Sequence, residues 1–326
     1  MIPMYPLTFE PIFKRYLWGG RRLGTVLGKQ VGDGADFAES WEVADHAQGQ
    51  SVVANGPLAG TTLHHLVTNR GDELLGRHAP QDRFPLIFKF LDCQRDLSVQ
   101  VHPDDAAAAR LMPPDLGKTE SWVILDAQPG SLVYAGLKKG CDQASLVAAV
   151  RNGNTAGCLH SFEPRIGDCL FIPAGTVHAL GAGLLVAEIQ QASDTTYRLY
   201  DWNRLGPDGK PRALHIDAAL AAIDYSAVEI GPQRPQATAR PTVQRLVGCD
   251  KFVLDRWTLA GEEQIGGDKR FHILSVIEGE LTIFDSASAY EQKLPRGQTV
   301  LLPANLPATT LGPASRAVVL DMYLPS

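Results

Sequence analysis

Along most of the chain the apolar positions fall in short runs, broken by glycine, proline and polar turns, a rhythm that predicts strands. Residues 37–44 alternate and read as a strand; Glu42 on it is expected to be solvated. Residues 84–92 form a strongly apolar strand carrying one lysine, Lys89, which is either a buried charge partner or an edge residue. Residues 97–101 alternate polar and apolar, which puts Gln100 and His102 on one face and Val99 and Val101 on the other. Pro103, with no N–H to offer, stops that ladder. Further strands are expected from Ser121, at 183–191 and within 193–202, where Thr196, Arg198 and Tyr200 should share a face. Helical spacing is confined to four short stretches, near 58–76, 104–112, 142–150 and 215–225. Asp104 is a good N-cap, Gly153 a plausible C-cap, and Pro113-Pro114 a stop. His64 and His65 are adjacent, so they diverge on a helix and read as surface residues. Trp18 reads as a core anchor rather than a lid.

Residues 231–241 are rich in proline, glutamine, alanine and arginine and carry no apolar period, as a linker would. Beyond them come β-runs at 252–259, 271–278, 280–285, 299–303 and 317–323, which predict a second compact β unit of about 85 residues. The two parts repeat: Gly167-x5-Pro173-Ala174 matches Gly297-x5-Pro303-Ala304. Five residues after the proline stands His178 in the first copy and Ala308 in the second. Where the first copy has a carboxylate, the second is expected to offer Asp268-Lys269-Arg270.

The chemistry concentrates in the first part. Gln100 and His102 on one strand face, Glu120 at the start of an apolar run and His178 after a Pro-Ala-Gly turn form a credible metal shell with a position left open. That shell depends on three segments meeting in space. The rest of the composition narrows the setting. With 44% hydrophobic and 20% charged residues the chain can bury a core, and a net charge of −6 without a basic run argues against nucleic acid. No apolar run approaches a membrane span, and the first six residues do not read as a signal peptide. Five scattered cysteines without a C-x-x-C pair suggest reduced thiols in cytosol.

The Gly-Asp-x4-Pro-x4-His stretch resembles cupins. Residues 97–105, Lys118-Thr119-Glu120-Ser121-Trp122, residues 173–181 and 191–204, and Trp18-Gly19-Gly20 more narrowly resemble class I mannose-6-phosphate isomerases. That resemblance implies a mainly β fold of two cupin-type jelly-roll barrels or sandwiches with a few short helices. It implies a catalytic, metal-binding domain at 1–230, the linker at 231–241, and a cupin-like domain without ligands at 242–326. It further implies one zinc ion per chain on His102, Glu120 and His178, with Gln100 as the weakest ligand. Arg198 would act in catalysis, and Ser98 and Lys118 would hold phosphate. Only 57 residues separate Glu120 from His178, which leaves no room for the helical insert of longer members and points to the short bacterial form. The implied partner is a small sugar phosphate, and the chain would be a cytoplasmic monomer or weak homodimer. The general base stays open, with Glu42 and Asp201 as candidates by residue type. Two other classes fit the same residues. A His-His-carboxylate triad in a jelly roll also suits Fe(II) and O₂ chemistry, which bound-metal analysis and an oxygen electrode would reveal. A non-catalytic sugar-phosphate binder would show saturable binding without conversion.

Overall fold

The computed structural model describes residues 2–206, 209–226, 229–285 and 290–326. The fold is mainly β. Three open sheets stack as sandwiches, and none closes into a barrel. The first sheet runs, in spatial order, Ile12–Gly20, Phe37–Val43, Leu86–Cys93, Leu184–Gln191, Glu120–Ala127 and Cys169–Ile172. The second runs Tyr197–Tyr200, Val99–Val101, His178–Leu180, Val133–Leu137 and Leu159–Phe162. The third holds the strands from Gln236–Ala237 to Thr309–Tyr323.

The first sheet is the middle layer, which explains its continuous apolar strands: both faces are covered. One face sends Leu91, Trp122, Leu170 and Val186 against Val133, Ala135 and Leu180 of the second sheet. The other sends Phe88, Phe90, Val123 and Ile189 into a core shared with Leu274 and Val319 of the third sheet and with Phe271 just ahead of it. Two short helices, Gln143–Arg151 and Ile216–Ala222, cover the outer face of the second sheet through Leu146 and Ala219. Helix Leu63–Leu75 buries Leu63, Leu66 and Val67, as its spacing predicts. The helix after Asp104 is shorter than expected, Asp105–Ala108, but Asp104 does cap it by accepting from the Ala107 N–H.

The repeat is visible in backbone register. In the first copy Gly167 N–H donates to the Ile124 carbonyl at 2.8 Å, and in the second Gly297 N–H donates to that of Val276 at 2.7 Å. Both glycines have positive φ, +89° and +86°, a conformation that L side chains resist. Glu120 pairs with Ile172, and its counterpart facing Leu302 is His272. The expected counterpart, Asp268-Lys269-Arg270, is therefore four to two residues early; the loop before the third-sheet strand displaces the sequence alignment.

Candidate metal centre and active site

Polar side chains gather at one end of the space between the first and second sheets. Glu120 opens its strand, His102 directly follows Val99–Val101, and His178 opens His178–Leu180. Each is about 1% exposed, and their ligand atoms lie within 4.8 Å of one another. No other such group occurs among the described residues. His102 Nδ1 donates to the Thr195 carbonyl at 2.9 Å, and His178 Nδ1 donates to that of Thr176 at 2.9 Å. A carbonyl only accepts, so each proton sits on Nδ1 and each Nε2 presents a lone pair. Those lone pairs meet a third acceptor, the Glu120 carboxylate, at 3.5 Å from His102 and 3.2 Å from His178. Burial, with the Lys118 ammonium nearby, holds His102 well below the usual histidine range; burial takes His178 down to about 4. His102 Nε2 is buried without a hydrogen-bond partner, and Glu120 Oε2 has beside it only the Lys118 ammonium, as an ion pair at 3.2 Å. Acceptors facing acceptors in a dry pocket are unfavourable unless a cation joins them. The residues therefore fit a divalent metal.

Gln100 lines the pocket, with its amide nitrogen 3.3 Å from His178 Nε2; turning the amide over would aim its oxygen at the triad. Arg198, Gln100 and His178 stand opposite one another on three neighbouring strands, so two strand spacings, about 10 Å, separate the arginine from the histidine. Arg198 Nε lies 3.3 Å from Ser98 Oγ, and its Nη1 donates to the Ala213 carbonyl at 2.9 Å. No carboxylate pairs with it among the described residues, so it is not a strand ion-pair partner. Lys118 Nζ stands 3.2 Å from Glu120 Oε2.

The chain's similarity to known proteins agrees with this geometry. A family model described as phosphomannose isomerase type I, catalytic domain, matches residues 7–120, and one described as mannose-6-phosphate isomerase, cupin domain, matches residues 242–320. Mannose-6-phosphate isomerase ManA of Bacillus subtilis (strain 168) is 37% identical over 309 residues, covering 92% of this chain and 94% of that protein. The chain belongs to the type I phosphomannose isomerase family. Mannose-6-phosphate isomerase of Streptococcus mutans is 32% identical over 304 residues, 91% of this chain and 92% of that one. The crystal structure of mannose 6-phosphate isomerase from Bacillus subtilis has a TM-score of 0.90 at 33% identity, covering 98% of this chain and 100% of that chain.

The two base candidates named by residue type stand outside the pocket. Glu42 is neither solvated nor facing it. It is buried against the Lys29 ammonium at 2.5 Å, on the side of the sheet where Lys29 lies over Phe90. Asp201 accepts from Arg212 Nε at 2.7 Å and from Arg204 Nη2 at 2.5 Å, and those contacts outweigh its burial and lower its pKa. Nor do Arg198 and Tyr200 share a face: a bulge at Leu199 turns Tyr200 into the outer core while Arg198 stays in the pocket. Trp18 anchors the core, and it also forms pocket wall, stacked on Tyr16 with ring centroids 5.6 Å apart.

The pocket, about 300 Å³, contains Glu39, Glu188, Asp194 and Arg212, which the sequence reading passed over, and Lys89, which proves to be the buried charge partner rather than an edge residue. Lys89 is 4% exposed, 3.3 Å from Glu188 and 3.6 Å from Glu39. Burial opposes its charge, but Glu188 and Glu39 outweigh burial and raise its pKa. Burial also pushes Glu188 up, with Lys89 offsetting part of the rise. The available signal was a single charge of each sign, Lys89 and Glu188, set in the middle of two long apolar strands.

Proposed function

We propose that the protein interconverts mannose 6-phosphate and fructose 6-phosphate in the cytoplasm, using one zinc ion held by His102, Glu120 and His178, with Gln100 as a weak fourth ligand. The observation that carries this reading is the dry triad of acceptors directly behind Gln100 and Lys118 of the pocket wall, with Arg198 and Arg212 on the pocket's other side. When bound, zinc supplies a Lewis acid that stabilises negative charge on oxygen without redox chemistry. The remaining work falls to side chains. An aldose–ketose isomerisation moves a proton between C1 and C2 through an enediolate. Glu188 is the carboxylate best suited as base: it lines the pocket, and burial raises its pKa toward the working range. Lys118, beside Glu120, is placed to steady the oxygens on C1 and C2 as their charge grows.

The phosphate belongs at the other end. Ser98, Arg198 and Arg212 meet there, and a six-carbon chain with its reacting carbons at the triad reaches the separation of Arg198 from His178. The guanidinium fork suits phosphate oxygens. This division differs from the roles implied by family resemblance, in which Lys118 holds phosphate and Arg198 acts in catalysis. Position supports it, because Lys118 is against a metal ligand and Arg198 is not. The test is a coupled assay of mannose 6-phosphate conversion with and without chelator. Chelator-sensitive turnover is expected. Conversion undiminished by metal removal would refute the metal role, and saturable binding without conversion would refute the isomerase.

A further inference from the structure

A second cleft, about 660 Å³, opens between the two copies of the repeat, at the far end of the Glu120–Ala127 strand. Its walls are contributed by equivalent positions from each copy. Ile166 and Arg296 precede the two turn glycines, while Asp126 and Glu278 follow Ile124 and Val276 by two residues. The strand length puts it roughly 20 Å from the metal centre.

We propose that this cleft binds an organic phosphate, a dianionic head on an apolar body. Three arginines line it. Arg316 is paired with Glu278, and Asp126 is engaged by Arg22 at 3.4 Å. That leaves two guanidiniums without a carboxylate among the described residues. Arg256 donates only to neutral acceptors, the Gly167 carbonyl at 3.2 Å and Gln244 Oε1 at 2.8 Å. Arg296 Nε is sealed from solvent with no acceptor. A buried donor without an acceptor is costly, and a phosphate oxygen would satisfy it. Two cations match a dianion, and their planar forks favour phosphate geometry. Leu125, Ile166, Ile277 and Val318 supply apolar wall, and Ile166 is 66% exposed, an unusual state for a large aliphatic side chain. The volume is that of a ligand site rather than an ion site.

The test is titration calorimetry with ADP, inorganic pyrophosphate and adenosine on the metal-loaded enzyme. ADP should bind saturably and more tightly than pyrophosphate, adenosine should not bind, and added salt should weaken ADP. Arg296→Gln breaks no side-chain bond among the described residues and should weaken ADP at least about 10-fold, the loss of one charge-assisted bond, with kcat and KM for mannose 6-phosphate unchanged. Arg256→Gln should do the same. The site is refuted if millimolar ADP and pyrophosphate give no saturable heat, if Arg296→Gln binds ADP normally, or if mannose 6-phosphate displaces it. Pyrophosphate binding as tightly as ADP would refute the apolar half of the site.

Discussion

The two copies of the repeat hold polar clusters at matching places in their sheets, and only one of them is unfinished. On neighbouring strands of the first copy Glu188 stands opposite Lys89, and Glu120 lies diagonally from Glu188, opposite Gln190. The same register in the second copy gives His272, Asp321 and Asp255. There every charge meets its opposite. His272 Nδ1 donates to Asp321 at 2.8 Å, its Nε2 lies 3.4 Å from Asp268, and Asp255 pairs with Arg245 and accepts from Tyr323 Oη at 2.8 Å. Burial works against the charge on His272, but Asp321 and Asp268 win and lift its pKa to about 9. The first copy instead opposes lone pair to lone pair: Glu120 has the Lys118 ammonium on one side, but the His102 and His178 lone pairs face its carboxylate and His102 Nε2 is left buried without a partner. A buried cluster that satisfies itself holds a fold together; one that does not is waiting for a ligand. The turn that carries His178 is present in the second copy as well, but it presents Ala308.

The comparison can be broken at several points. Removing a true ligand should have the largest effect. His178→Ala should lose metal and turnover together, exceeding the roughly 10³-fold expected for one electrostatic donor. Glu188→Gln and Lys118→Met come next, each lowering kcat by roughly 10²–10⁴-fold with metal retained and KM little changed. If either variant kept a normal kcat in steady-state kinetics, the assignment of the reacting end would be wrong.

The self-satisfied cluster should show in stability instead. With His272 raised from 6.5 to about 9, its contribution of roughly 3 kcal/mol is complete below pH ~6.5 and fades as pH rises through about 9. Denaturant unfolding at pH 6 and pH 10 should differ in that direction. His272→Ala should flatten the difference while leaving kcat per folded molecule unchanged. A loss of chemistry in that variant would erase the distinction between the two clusters. The smallest effect belongs to the phosphate end. Arg198→Gln should raise KM for mannose 6-phosphate roughly 10–100-fold, the loss of one or two charge-assisted bonds, and change kcat less.

Much of this was legible before any coordinates. His102, Glu120 and His178 could be assembled because each lies where a strand begins or ends, within three residues of a proline or glycine that marks the place: Pro103, Gly117 and Gly175. The strand rhythm of both copies and the pairing of Gly167 with Gly297 were equally plain. What failed depended on register. The bulge at Leu199 separates Arg198 from Tyr200 although period two joins them. The loop ahead of the His272–Asp285 strand hid His272 as the counterpart of Glu120. Glu42 and Glu39 lie three residues apart on one strand, so alternation puts them on opposite faces, but which face meets the pocket is set only by the packing of the sheets around that strand. Lys89 was read without Glu188, because their adjacency needs the pairing of two strands far apart in sequence.

The central claim is that one copy is loaded and the other is complete without a metal. Elemental analysis of the purified protein, alongside His178→Ala and His272→Ala, tests it most directly. About one zinc per chain is expected in the wild type and in His272→Ala, and essentially none in His178→Ala. A stoichiometry near two, or metal retained by His178→Ala and lost by His272→Ala, would contradict it.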